Sequence, residues 1–389
     1  MKDKISYLLG AGFSEPMGYP LGSVLNSKIL ECNKEPFRFE SGSLVLRNNG
    51  AETMPKSSEF LFLFEVIHHY KRTKSEFDYE DFFDFINGDL KENKIIKEIA
   101  SPFINEKNDI NDLLSKIKIM FVQIVSYFIK DRNGEHNYEN SASHIGKQFN
   151  GYSGILRYIG EQTKNYIVNI HTLNHDLLFE RFDNTDFFEQ PLSDGFEEFG
   201  SSYYGLLNCE NRGYFVRLSR YTGEYKSTFR LYKLHGSLNY EAFYKKNDNI
   251  YNPEIYLKTK YKIGHTNLYK EVLNDNGQFE YQNSWFNYHS DFLTGTTSKI
   301  KKYKTPLLYK KLFDLFKNNL QNSDKLIIIG YGARDTEINK IIIENFNYNN
   351  KRTYIIDPFP NDNLKHFAKQ INAKIINTKL ENISNEDFE

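Results

Sequence analysis

The sequence contains five short apolar runs that favour β-strands, and each run ends at a glycine or at a cluster of polar residues. The runs cover residues 5–9, 166–171, 229–234, 325–329 and 353–356. Most of them lead into a segment in which apolar residues recur with helical spacing. Alternating strands and helices predict an open parallel sheet of the α/β class. Ligands bind such sheets outside the carboxyl ends of the strands, so we expect a functional site there.

Two long segments interrupt this alternation. Residues 58–164 carry helical stripes such as Leu113, Ile117 and Phe121, which predict a large helical insertion. Residues 196–230 are rich in tyrosine, glycine and serine and predict loops with short strands, and residues 240–305 are polar and predict irregular structure. Together they predict a second insertion over 196–305, interrupted by the strand at 229–237. We therefore expect a single domain over residues 1–389 that contains both insertions, and we expect residues 35–57 to be loop.

Composition excludes several classes of protein. Lys+Arg 50 against Asp+Glu 51 gives a net charge of -1, which argues against direct binding of nucleic acid through a basic surface. The longest apolar run is too short to span a bilayer, and the first residues lack the features of a signal peptide. Two cysteines, Cys32 and Cys209, cannot form a disulfide framework or a four-cysteine zinc module. We expect a cytoplasmic protein that needs no metal.

The first strand ends at a glycine-rich turn, Gly10-Ala11-Gly12-Phe13-Ser14. Gly10 permits a sharp turn, and Gly12 lets backbone N–H groups approach a pyrophosphate. Ser14 is able to bind a phosphate or to cap a helix. Together these features predict a Rossmann-like nucleotide-binding unit. The third glycine of G-x-G-x-x-G is missing, so the segment is also compatible with a tight turn and a helix cap.

Two further strand ends carry polar side chains. The Asn174 amide is able to hold a ribose hydroxyl or a water molecule, and Asp176 is able to accept a hydrogen bond from a carboxamide. Both residue types are also favoured as helix caps. His235 leaves a buried strand just before Gly236, and a histidine with its ordinary pKa near 6.5 suits a general base. A purely structural histidine is the alternative.

The last two strand ends complete the set. Gly330-Tyr331-Gly332 again allows the backbone to approach a ligand, and Asp357 lies where carboxylates hold a ribose diol. Asp335 is the predicted N-cap of a helix over residues 335–346.

These segments occur in the order and with the rough spacing of motifs that resemble those of the sirtuin family. The segments that carry the resemblance are Gly10-Ala11-Gly12-Phe13-Ser14 with Gly18-Tyr19-Pro20, Thr172-Leu173-Asn174-His175-Asp176, His235-Gly236, Gly330-Tyr331-Gly332 and Ile355-Ile356-Asp357.

The chain also departs from the deacylases of that family. It lacks the four zinc-binding cysteines, it has Leu21-Gly22-Ser23 where they have Asp-Phe-Arg, and it has Leu173 where they have glutamine. In this it resembles the zinc-free, sirtuin-like NAD hydrolases of bacterial anti-phage defence systems, which often carry a large helical insertion.

The resemblance implies that residues 1–389 form a catalytic domain that cleaves NAD, its substrate, to nicotinamide and ADP-ribose. It implies that Asn174 and His235 are catalytic. The residues implied to bind NAD are Gly10, Ala11, Gly12, Phe13, Ser14, Asp176, Gly330, Tyr331, Gly332 and Asp357. It further implies a homo-oligomer, and activation by a trigger or by a partner such as a HerA-type ATPase or another defence subunit. A nucleotide-sensing module without turnover and an NAD-dependent protein deacylase are the alternatives.

Overall fold

The structure is a computed structural model of the chain. The residues that it describes are 2–35, 37–40, 43–46, 57–105, 109–134, 136, 149–210, 212–245, 253–263, 265–284, 289–292 and 303–389.

Seventeen strands are formed by these residues. In chain order they are β1 (Lys4–Leu9), β2 (Phe37–Glu40), β3 (Ser43–Leu46), β4 (Ile167–Thr172), β5 (Leu192–Ser193), β6 (Phe196–Glu197), β7 (Tyr203–Cys209), β8 (Arg212–Arg217), β9 (Ser219–Tyr221), β10 (Phe229–Lys233), β11 (Tyr240–Phe243), β12 (Ile255–Lys258), β13 (Leu268–Leu273), β14 (Phe279–Asn283), β15 (Lys325–Ile329), β16 (Arg352–Ile356) and β17 (Lys374–Ile376).

Eleven α-helices accompany them in the described part of the chain. They are α1 (Ala11–Ser14), α2 (Gly22–Leu30), α3 (Ser58–Arg72), α4 (Tyr79–Asn87), α5 (Lys94–Ala100), α6 (Ile110–Phe128), α7 (Ser153–Asn165), α8 (Leu178–Arg181), α9 (Tyr309–Asn322), α10 (Thr336–Asn345) and α11 (Asp362–Gln370). No helix among the described residues has the length and apolar character needed to cross a membrane.

A seven-stranded parallel sheet forms the centre of the fold. Its strand order is β17-β16-β15-β1-β4-β10-β5, and every neighbouring pair is parallel. The predicted α/β class is therefore confirmed. All five predicted strands lie in this sheet. They could be predicted because strands covered on both faces are nearly continuous apolar runs in the sequence. In β1, five of the six residues are buried.

The order of the strands decides where a ligand can bind. Counted along the chain without the short β5, the six main strands lie in the order 3-2-1-4-5-6 across the sheet. This is the order of dinucleotide-binding Rossmann sheets, and it reverses between β1 and β15. Rossmann sheets bind their ligand outside the carboxyl ends of the strands at such a reversal.

The chain divides into two compact units. One runs through Met1–Tyr19, Lys130–Phe292 and Lys302–Glu389 and contains the parallel sheet. The other includes Pro20–Ile129 and contains α2 to α6 with the hairpin β2–β3. The hairpin lies within residues 35–57, where the prediction of loop was wrong for the described residues. The domain boundaries predicted from the sequence stay a prediction.

The region predicted as the second insertion forms two four-stranded sheets with antiparallel pairing, β11-β12-β9-β6 and β14-β13-β7-β8. Short strands were predicted near 196–230, but 240–305 was expected to be irregular, and for β11 to β14 this was wrong. For β14 the reason is that all five of its residues are exposed. A solvated strand lacks the apolar alternation by which strands are recognised.

Candidate functional site at the carboxyl edge of the parallel sheet

The glycine loops after β1 and β15 pack directly against each other. The N–H groups of Gly10 and Gly12 donate to the carbonyls of Ile329 and Gly330, at 3.0 and 2.9 Å. Gly330 has φ +60, and a Cβ atom there would lie 2.3 Å from the nitrogen of Phe13. The glycines are thus required by contact between two backbones. Because these N–H groups have carbonyl partners, few of them remain to bind a phosphate.

Asn174 joins the ends of β1 and β4. Its Nδ2 donates to the carbonyl of Gly10 and to Oγ of Ser14, both at 2.9 Å, and its backbone N–H donates to Thr172 Oγ1 at 3.1 Å. Both amide hydrogens are therefore used within the protein. In the part of the chain that the structure describes, Oδ1 of Asn174 accepts no hydrogen bond. The carbonyl oxygen is the part of this side chain that is able to contact a ligand.

Ser14 lies between two polar side chains. Its Oγ accepts a hydrogen bond from Asn174 Nδ2 at 2.9 Å, and it lies close enough to the Asp176 carboxyl to lower the pKa of that group. Its side chain is 2% exposed, which agrees with an internal role.

Asp176 is buried at the start of α8. Its Oδ1 accepts the N–H of Leu178, the first residue of α8, at 3.0 Å, but the N-cap position is Leu177, and no side chain caps this helix. Burial raises the pKa of the Asp176 carboxyl above its ordinary value, although the charge of Lys233 and the N–H of Leu178 act in the opposite direction.

A buried ion pair that the sequence analysis did not predict holds the backbone of Asp176 in place. Lys233 Nζ donates to Glu180 Oε1 at 3.0 Å and to the backbone carbonyl of Asp176. The two side chains are 1% and 6% exposed. A lysine at the end of the apolar run 229–234 was the available signal, because a lysine is rarely fully buried without a partner.

His235 follows β10 and is 4% exposed. Its Nε2 lies 3.6 Å from Asp335 Oδ2 and 3.3 Å from the hydroxyl of Tyr303. The ring of His175 is 6.3 Å away between centroids. Gly236 has φ +80, and a Cβ atom there would lie 2.4 Å from the Asp291 carbonyl, which explains why glycine follows the histidine.

Asp335 caps α10, as predicted: its Oδ1 accepts the N–H of Ile338 at 3.1 Å. Its proximity to His235 was not foreseen, because the two lie one hundred positions apart in the sequence and no local pattern links them.

The other predicted residues lie in the two glycine loops. Phe13 is buried and packs edge-on against Tyr152, with ring centroids 5.3 Å apart. The Tyr331 side chain is also buried, and its hydroxyl lies 2.8 Å from Asn339 Oδ1. Both side chains stabilise the fold, so only their backbone is available to a ligand. Ala11 is exposed, and Gly332 is half-buried.

Asp357 lies at the end of β16, away from the residues above. Its Oδ1 accepts the N–H of Phe359 at 2.8 Å, and partial burial raises the pKa of its carboxyl. β16 is four places from β10 in the sheet. With strands spaced about 4.8 Å apart, the two strand ends lie roughly 19 Å from each other.

No group of three His, Cys, Asp or Glu side chains among the described residues is arranged to hold a metal ion. Both cysteines are free thiols, Cys32 buried and Cys209 exposed. Metal independence stays a prediction.

The strand order and the two glycine loops at its reversal define a Rossmann-like protein. No family model matches the sequence, and no curated protein matches it. Three solved structures similar to the chain come from studies of Sir2 enzymes and sirtuins. They are a structure on the mechanism and regulation of Sir2 enzymes (12% identity, 98% of this chain and 88% of that chain covered, TM-score 0.33), a Sir2 homologue in complex with NAD (10%, 98% and 86%, 0.34) and a structure on sirtuin substrate affinity (10%, 97% and 90%, 0.33).

Proposed function

We propose that this protein hydrolyses NAD at the nicotinamide–ribose bond. The observation that carries the proposal is the placement of polar side chains around the reversal of strand order. Asn174 and His235 follow the neighbouring strands β4 and β10 on one side of it, and Asp357 follows β16 on the other. Dinucleotides bind across this point in Rossmann sheets.

The dimensions support a dinucleotide ligand. The span of roughly 19 Å from the end of β10 to the end of β16 suits an extended molecule with a sugar at each end better than a single nucleoside. In this arrangement the nicotinamide ribose lies near Asn174 and His235, and the adenosine ribose lies near Asp357.

The chemistry asked of the site is limited. The bond between the ribose carbon and the nicotinamide nitrogen breaks through an oxocarbenium-like state, and its electron pair neutralises the positive pyridinium ring. A water oxygen then bonds to the ribose carbon, and its proton passes to His235. Such a base contributes roughly 10²- to 10⁴-fold to the rate. Asn174 Oδ1 orients the water or a ribose hydroxyl.

The binding contacts follow from the same arrangement. We propose that the pyrophosphate lies at the crossing of the two glycine loops, near Ala11 and Gly332. The burial of Ser14 makes its donation to phosphate the weakest of the proposed contacts, and Asp176 would reach the carboxamide through lone pairs that the N–H of Leu178 leaves available.

Two other functions compete. A module that senses a nucleotide without turnover would bind at the same strand ends, but it has no need of a base such as His235. A protein deacylase would use the same strand ends, but Leu21-Gly22-Ser23 and the two cysteines argue against it. The proposed defence role, the homo-oligomer and the partner subunit rest on the sequence resemblance.

The test is an NAD consumption assay on the full chain, purified alone and together with the products of its genomic neighbours. We expect equal amounts of nicotinamide and ADP-ribose, no product with His235→Ala, and normal turnover in the control His366→Ala, which changes an exposed histidine of α11. ADP-ribose binding without turnover in every preparation would favour the sensor, and deacylation of an acyl-lysine peptide would favour the deacylase.

A further inference from the structure

The carboxylate of Asp335 faces two different groups. Oδ1 accepts the N–H of Ile338 in the first turn of α10, at 3.1 Å. Oδ2 lies 3.6 Å from Nε2 of His235. One side chain therefore connects the loop after β15 with the histidine after β10, two strand ends that are separated in the sheet by β1 and β4.

The surroundings strengthen the interaction between these two groups. The side chains of His235 and Asp335 are 5% and 18% exposed. Salt screens partly buried charges much less than exposed ones. A carboxylate within about 4–6 Å favours the charged form of a titrating base.

We propose that Asp335 is a positioning residue for His235, and that its negative charge stabilises the imidazolium formed when His235 takes up a proton. Only the consequence for catalysis rests on the proposed function. The electrostatic coupling of the two side chains rests on their geometry and is measurable without any reaction.

Other groups near the histidine act differently. The Tyr303 hydroxyl, 3.3 Å from Nε2, is able to donate or to accept, so it suits either form of the ring. His175, 6.3 Å away, opposes protonation when it is itself charged. Asp291 lies beyond Gly236, and the hydroxyl of Tyr309 lies 3.2 Å from its Oδ1.

Asp335→Asn separates the two roles of the residue. Asparagine and aspartate are equally good N-caps, so α10 keeps its cap while the charge is lost. Asp362→Asn is the matched control, because it removes the same charge from the first turn of α11, where the side chain is fully exposed. Asp335→Ser, which also caps without charge, serves as a second variant if the asparagine variant does not fold.

The experiment is an NMR pH titration of the full chain labelled with ¹³C-histidine, with the His235 signal assigned by its loss in His235→Gln. We expect the titration midpoint of His235 to fall by about 1–3 pH units in Asp335→Asn. We expect it to be unchanged in Asp362→Asn. An unchanged midpoint in folded Asp335→Asn and Asp335→Ser overturns the proposal.

The pH dependence of NAD turnover distinguishes this proposal from the proposed function. If both hold, the acid limb of the rate profile moves to lower pH in Asp335→Asn by the same amount as the NMR midpoint. A moved midpoint without NAD hydrolysis in any preparation refutes the proposed function and supports the coupling. NAD hydrolysis with an unchanged His235 midpoint supports the proposed function and refutes the coupling.

Discussion

Replacing Asn174 by alanine tests the centre of the site, and the structure gives the size of the effect on stability. The change removes two hydrogen bonds from Nδ2, to the Gly10 carbonyl and to Ser14 Oγ. A neutral hydrogen bond contributes about 0.5–1.5 kcal/mol net, so the free energy of unfolding should fall by about 1–3 kcal/mol. Asn174→Ala should therefore still fold.

The effect on turnover should be much larger than the effect on stability. If Asn174 Oδ1 orients a reacting group, its loss should lower kcat by roughly 10²- to 10³-fold, as for other oriented polar groups in active sites. Urea unfolding followed by fluorescence gives the first quantity, and the NAD consumption assay gives the second.

Ser14→Ala is the matched control. It removes the bond between Ser14 and Asn174 but leaves Asn174 bonded to the Gly10 carbonyl. We expect about half the loss of stability and a much smaller loss of turnover. If both variants lose turnover only in proportion to the unfolded fraction, or if folded Asn174→Ala turns over NAD normally, Asn174 has a structural role alone and the reasoning is wrong.

His235→Ala should keep its melting temperature and NAD affinity and lose turnover; normal turnover would remove His235 from the mechanism. NAD hydrolysis should survive EDTA, and a stoichiometric zinc ion in the purified protein would contradict this. The isolated chain should be nearly silent until a partner or trigger is added, which full activity of the protein alone would refute. Burial lowers the pKa of His171 from its ordinary value of 6.5 to about 3, so as the pH falls the unfolded chain binds a proton at this residue before the folded chain does. The contribution of His171 to the free energy of unfolding is therefore complete above pH 6.5 and should fall by about 3 kcal/mol at pH 4.5. Urea unfolding should show this loss in the wild type and not in His171→Asn.

Much of the site could be predicted because its residues stand at the ends of recognisable strands. Buried parallel strands read as apolar runs, and glycine or a polar residue marks where each run ends. The N-cap role of Asp335 was equally readable, since a cap contacts only the next turn of its own helix. The contacts that each residue makes at the strand ends could not be predicted from local patterns of this kind.

The strand runs, their order along the chain, the caps and the clustering of polar residues at strand ends were determined by the sequence itself, because these features depend on neighbours a few residues apart. The tertiary structure alone decided that Gly12 and Gly330 touch and that the Asn174 amide joins two loops. It also decided that Lys233 pairs with Glu180 and that Asp335 faces His235. These contacts join residues about fifty to more than three hundred positions apart, and the order of strands in the sheet, which no local pattern encodes, is what brings them together.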